Sequence, residues 1–252
     1  MKRRVEQGII IVGPLLIIII WYILPKLGVI KEFFLPNPLR VGRELLTLFT
    51  GKRLLTDIGY TLYRTILGFS FAALWGIPVG LLLGYYAKLY RMFEVVIDFF
   101  RSLPATALIP LALIIFASGE TARVFIVLFA CGLVLIISSA YGVKSCNKTR
   151  LQVAEIMKAN TMKKFRTVIF REALPEIFAG LRVSLSLSLI LVVVSEMFIG
   201  TKVGLGQKIF DAQLMNRIAE MYALILIAGL LGYAINKLFL LSEKRIIHWT
   251  GK

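Results

Sequence analysis

The stretch Gln152-Val-Ala-Glu-Ile-Met-Lys-Ala-Asn-Thr-Met-Lys-Lys-Phe-Arg-Thr-Val-Ile-Phe-Arg-Glu-Ala-Leu-Pro175 is polar and cationic, and it sits between two long apolar runs. Val153, Ile156 or Met157, and then Phe165, Val168 and Ile169 fall at helical spacing, while Lys158, Lys163, Lys164 and Arg166 occupy the other positions. That pattern predicts an amphipathic helix of about the length of the whole stretch. A charged helix placed between apolar blocks is held outside the apolar layer and presents one face to what lies there. Periodicity leaves two readings open: a helix that docks a partner protein, and a basic helix lying on lipid head groups.

Outward from this stretch the sequence is dominated by uncharged runs at Gly8 to Leu24, Thr65 to Tyr86, Ser102 to Gly119, Val124 to Val143, Val183 to Ser195 and Met221 to Asn236. Most approach the roughly 20 residues that cross a hydrocarbon layer as a helix. The fifth is short before Glu196 interrupts it, but Met197, Phe198 and Ile199 extend it. Hydrophobic residues make up 58% of the 252 positions, and the mean hydropathy is +0.83. A soluble domain carries about 45–50% apolar residues. Spanning β-strands would alternate over segments of about 10 residues, and these blocks are continuous. The expected fold is therefore all-α, a polytopic membrane protein with six transmembrane helices.

Lys2, Arg3 and Arg4 precede the first apolar run, as in a signal peptide, but Pro25 and Lys26 follow without a small-residue cleavage site. The run reads as a retained first span. The distribution of Lys and Arg sets the expected orientation. With the N-terminus in the cytoplasm, the inner segments gain Lys88, Arg91 and the dense set from Lys144 to Arg171, and the C-terminus with Lys244, Arg245 and Lys252 is also inside. The net charge of +16 belongs to residues flanking spans and meeting anionic head groups, so no nucleic-acid partner is expected. Cys131 lies in an apolar run and Cys146 on the inner side, so no disulfide is expected.

The chain divides into residues 1–57, a first span with a connector, residues 58–241, a five-helix unit carrying the segment 150–175, and a cytoplasmic tail 242–252. In the connector, Val41, Leu45, Leu46, Leu48 and Phe49 follow Leu35-Pro-Asn-Pro38 at helical spacing and predict an amphipathic helix at the outer surface. Gly76, Gly80 and Gly84 repeat every fourth residue, which lets a second helix approach closely. Pro78 between them is a candidate kink.

No Gly-x-x-x-x-Gly-Lys-Ser/Thr sequence occurs, so the chain supplies no phosphate-cradling loop and is not expected to hydrolyse ATP itself. The single histidine, His248, beside Trp249, leaves no basis for a histidine-based metal centre or catalytic triad, and reads as interfacial. No catalytic residue, metal site or cofactor is expected. Charged residues within spans are costly and face protein or water. Asp98 and Arg101 lie three apart and can neutralise one another; Arg182 and Lys237 can snorkel. Arg101, together with Ser184, Ser188, Ser195 and Glu196, forms the set expected to line a polar path, against a plain hydrogen bond from Glu196 to a neighbouring helix.

Leu174-Pro175 with the preceding Gln152-Val153-Ala154 and Lys158 resembles the cytoplasmic pattern of binding-protein-dependent ABC importer permeases, in the nitrate/sulfonate/taurine branch of the type I group. That pattern has Glu-Ala-Ala, a Gly about four residues on, and a later Leu-Pro. Here the acid has become Gln152 and the glycine Lys158. Phe100-Arg-Ser-Leu-Pro104, Leu108-Ile-Pro-Leu111, Ala179-Gly-Leu-Arg182, Val194-Ser-Glu-Met197, Gly204-Leu-Gly206, Gly229-Leu-Leu-Gly232 and Glu243-Lys-Arg245 with Trp249 resemble further stretches of the family in order, over residues 35 to 250 or so.

The resemblance implies a type I permease fold and a non-catalytic subunit of an ATP-driven importer in the cell inner membrane. Its implied partners are a second permease subunit as a homodimer, two cytoplasmic ATPase subunits, an external solute-binding protein and the lipid bilayer. It implies that Gln152, Val153, Ala154, Met157, Lys158, Ala159, Leu174 and Pro175 couple to the ATPase, and that the solute is a small anion such as nitrate, a sulfonate or taurine. The competing reading is a self-contained channel or ion-coupled transporter, disfavoured by the few carboxylates inside the spans.

Overall fold

The computed structural model describes residues 2–51 and 53–246; His248 and Trp249, with most of the tail 242–252, lie outside the described residues. The described residues are built from helices and their connections. α1 runs Lys2–Lys26 and α2 Pro38–Thr50. Asn37 starts α2, its side-chain oxygen accepting the Leu39 N–H at 2.9 Å, and Pro38 occupies the first turn, where its missing N–H costs nothing. Val41 on one face of α2 is buried, and Leu46 and Phe49 on another are exposed.

α3, Leu54–Tyr85, continues through Pro78 and packs along α6, Gly119–Lys144. The seam is made by small residues. A Cβ added at Gly76, Gly80 or Gly84 would meet the carbonyl oxygens of Gly132, Ile136 and Ala140 at 2.8, 2.5 and 2.7 Å. Each step of four along α3 matches a step of four along α6 in the same direction, so the two helices are parallel. The chain must therefore cross back between them.

It does so as a broken pair, α4 (Ala87–Ser102) and α5 (Ile109–Phe116), joined through a 3-10 turn at Ala105–Leu108 and bent by 87°. This corrects the expectation of one straight span over Ser102 to Gly119. Leu103 is extended, as a residue before proline prefers, and Pro104 ends α4. Pro110 suits the first turn of α5, and Ala117, left-handed at φ 49°, stops it.

The next crossing, Phe170–Ile199 (α9), runs antiparallel to α6: a Cβ on Gly180 would press on Ser138, and one on Gly142 on Ala173. After α10, Leu205–Leu214, α11 (Ile218–Ile246) returns antiparallel to α9, held where Arg182 donates to Glu243 at 2.5 Å. Among the described residues four helices are long and apolar enough to cross a membrane and the bent pair gives a fifth, with the apolar part of α1 shorter, a set compatible with the six expected crossings. Leu74, Val95, Ile114 and Leu230 are exposed on the outside of the bundle, as suits a surface met by lipid or by another subunit.

Candidate functional site

The segment singled out in the sequence is two helices rather than one. α7, Lys148–Ile156, is capped by Asn147, whose side chain accepts the Thr149 N–H at 2.8 Å. It ends at Met157 and Lys158. Lys158 is left-handed at φ 54°, its N–H reaches the Glu155 carbonyl at 2.9 Å, and the Ala159 N–H reaches back to the Ala154 carbonyl at 3.0 Å. These two bonds are the helix stop that glycine ordinarily serves. Asn160 then accepts the Lys163 N–H at 2.8 Å and opens α8, Thr161–Lys164. α8 runs through a π-helical turn at Phe165–Ile169 into α9. The predicted single helix fails because two opposed signals, a stop at Lys158 and a start at Asn160, lie within it.

α7 is tied down on one side and bare on the other. Arg150 donates to Glu172 Oε1 at 2.8 Å and the Asn147 N–H to Glu172 Oε2 at 2.6 Å, fixing α7 to the first turn of α9. Cys146, beneath them, has its thiol pushed up to about 12 by burial and by the neighbouring Glu172 carboxylate. Ala154 is buried, Ala159, Leu174 and Pro175 are half-buried, and Gln152, Val153, Met157 and Lys158 are exposed. Ile156 is 81% and Met157 77% exposed, and Met162 is bare beside them. Leu174 and Pro175 lie inside α9.

The residues expected on a polar path separate. Arg101 is exposed, pairs with Asp98 at 3.1 Å, and borders a cleft of about 610 Å³ shared with Ser102, Leu133, Ser138 and Leu187. Ser184, Ser188, Ser195 and Glu196 are fully buried. Ser184 donates to the Cys131 carbonyl at 3.3 Å, while Ser188 and Ser195 donate to carbonyls one turn back in their own helix, each at 2.8 Å. Ser188 and Ser195 are satisfied within their own helix and Ser184 on the adjoining α6, and all three are small enough to let helices close on one another.

Glu196 belongs to an ionic cluster centred on Arg64. All five guanidinium N–H groups of Arg64 are used. Nε and Nη2 hold Glu120 at 2.9 and 2.6 Å, Nη1 holds Glu196 at 2.7 Å and the Val203 carbonyl at 2.8 Å, and Nη2 also reaches Thr201 at 3.1 Å. Arg123 reaches Glu120 at 3.0 Å and donates to the Gly200 carbonyl. Glu196 also caps α10, together with Asp57 and Thr61 of α3. Asp57 accepts the Gly204 N–H, Thr61 the Leu205 N–H and Glu196 the Gly206 N–H, each at 2.9 Å. A carboxylate at a helix N-terminus also meets the positive end of its dipole. Space for this carboxylate comes from Gly204, whose φ of +145° and lack of a Cβ leave room directly against it.

Arg64, Glu120, Arg123 and Asp57 were not expected as functional residues. The signal was present: Asp57, Thr61, Arg64 and Gly68 fall on one face of α3, a polar stripe continuing the glycine stripe. Among the described residues no group of acidic, cysteine and histidine side chains could hold a metal ion.

Residues 76–249 match the family described as binding-protein-dependent transport system inner membrane component. The chain is 30% identical to a probable ABC transporter permease protein of Brucella abortus over 92% of this chain and 91% of that one. It is 28% identical to the taurine transport system permease protein of Escherichia coli, covering 98% and 92% of the two. It is also 30% identical to a bicarbonate transport system permease protein of Synechococcus elongatus, covering 93% and 88%. In fold it is similar to a chain of the inward-facing MetNI methionine ABC transporter, with a TM-score of 0.66 at 21% identity, covering 79% of this chain and 96% of that one.

Proposed function

The chain belongs to the binding-protein-dependent transport system inner membrane components, and from that premise we propose how its parts divide the work of an importer. It is a multi-pass permease subunit and is not itself an enzyme; ATPase and solute-binding protein partners come with the family. In our reading the end of the bundle bearing α7 and α8 faces the cytoplasm, because Lys and Arg concentrate there. The C-terminus lies on that side, and the N-terminus joins it.

The single observation that carries the coupling assignment is the bare apolar edge of Val153, Ile156 and Met157, continued by Met162 of α8, at a helix pinned to α9 by Arg150 and Glu172. An exposed cluster of this kind is suited to a partner's groove, and the pin would carry a push from the ATPase into α9. Gln152 and Lys158 would sit at the contact, with Ala154, Ala159, Leu174 and Pro175 behind it. Residues 58–241 would form the permease core, residues 1–57 an appended span and connector, and 242–252 the tail. The solute would be a small, nitrate-, sulfonate- or taurine-like molecule bearing an anionic group, a reading that the likeness to taurine and bicarbonate permeases supports, passing the Arg101 cleft between two copies of this chain. The buried Ser184, Ser188, Ser195 and Glu196 would shape that wall from behind.

The test is co-purification with the cognate ATPase after the substitution Ile156→Asp. The expected result is loss of the complex while the permease remains monodisperse in detergent. An intact complex with full ATP turnover would sink the assignment.

A further inference from the structure

At the α7 end a cleft of about 840 Å³ is lined by Arg150, Arg166 and Arg171 together with Val168, Phe170 and Leu174. The arginines come from α7 (Arg150), the π-turn (Arg166) and the first turn of α9 (Arg171), and they outnumber the acids. Among the described residues the only carboxylate lining the cleft, Glu172, is engaged by Arg150 on one oxygen and by the Asn147 N–H on the other. The nearby Glu155 is taken by Lys164 at 3.2 Å. Arg166 and Arg171 have no ion-pair partner among the described residues. Unmatched guanidinium forks favour a bidentate oxyanion, above all a phosphate.

The remaining wall says which phosphate. Val168, Phe170 and Leu174 are apolar, and they lie where α9 begins its long apolar stretch. A soluble phosphate would gain nothing from that wall. A headgroup carrying acyl chains would place its phosphate on Arg166 and Arg171 and its first methylenes on Phe170 and Leu174. We propose that this cleft holds the phosphodiester headgroup of an anionic phospholipid. Bound lipid at this position would touch the root of the segment through which α7 meets α9. The proposal stands apart from the coupling assignment above, since it requires neither an ATPase nor a direction of transport.

The test uses the full chain purified in detergent, titrated with phosphatidylglycerol or phosphatidylcholine and read by native mass spectrometry. The expected result is preferential retention of phosphatidylglycerol. In the double variant R166A/R171A that affinity should weaken about 30-fold, with phosphatidylcholine unaffected. The charge-preserving R166K/R171K should fall between the two. Both sites are exposed, and a monodisperse elution profile verifies that the variants are folded. Equal binding of both lipids, or phosphatidylglycerol binding unchanged in R166A/R171A, overturns the proposal. So does displacement of the lipid by inorganic phosphate alone, which would mark a soluble-anion site. A double variant that keeps the lipid but loses the ATPase would assign the arginines to that partner instead.

Discussion

Arg64 and Glu196 stand 132 positions apart in the chain and meet at 2.7 Å, with 3% and 0% of their side-chain surfaces exposed. Breaking such a pair from one side strands a buried charge, at about 3–5 kcal/mol. Arg64→Met should lower the thermal unfolding temperature in detergent sharply, and the double change Arg64→Met with Glu196→Met should recover part of the loss. A double variant as unstable as the sum of the single changes would show that the two residues do not act together.

Lys158 holds a left-handed backbone that costs a side-chain-bearing residue about 1 kcal/mol or more. Lys158→Gly should slow amide exchange in α7, since glycine closes this helix stop without strain. Lys158→Val should speed it, a β-branched residue fitting the left-handed region worst. Equal exchange in both variants would mean that the stop at Met157 and Lys158 does not govern α7.

Gly80 leaves no space for a side chain, because an added Cβ would sit 2.5 Å from the Ile136 carbonyl oxygen. Gly80→Leu should abolish folded, monodisperse protein. At Gly59, where an added Cβ meets nothing within 4 Å, the same change should be tolerated, and comparing the two by yield and elution profile checks the seam.

The Cys146 thiol, pushed up to about 12 from 9.0 by burial and by Glu172, carries very little thiolate near pH 8. Alkylation there should run about 1,000-fold slower than for an unperturbed thiol, through loss of the reactive anion alone. Its rate should still climb with pH through the range in which a free cysteine has levelled off. Glu172→Gln should speed it, and a rate that plateaus near pH 9 in the native protein would contradict the placement of this thiol.

The helical, membrane-spanning architecture was legible because apolar blocks of spanning length carry their own signal, and the residues pointing to the importer family are spread along most of the chain. Less visible were features set by a few residues of local chemistry. Pro104 and Pro110 turn one expected span into an elbow, and Asn160 with Lys158 splits one expected helix into two. Glu196 was singled out as a costly charge, yet its partner was missed, since Arg64 lies just outside an uncharged run and nothing local points to a residue so distant. The serines Ser184, Ser188 and Ser195 read as a polar path because hydroxyls stand out in apolar sequence. In a helix a hydroxyl can satisfy itself on the preceding turn, and Ser188 and Ser195 do so.

Where α3 and α6 touch, at Gly76, Gly80 and Gly84, backbone lies against backbone. On the α3 side that contact has no side chain to rotate or compress, so the two helices act as a single stiff beam. Any alternation between two shapes of this subunit must then be taken up at its joints. The elbow at Leu103 and Pro104 and the wide π-turn at Phe165–Ile169 are two such joints.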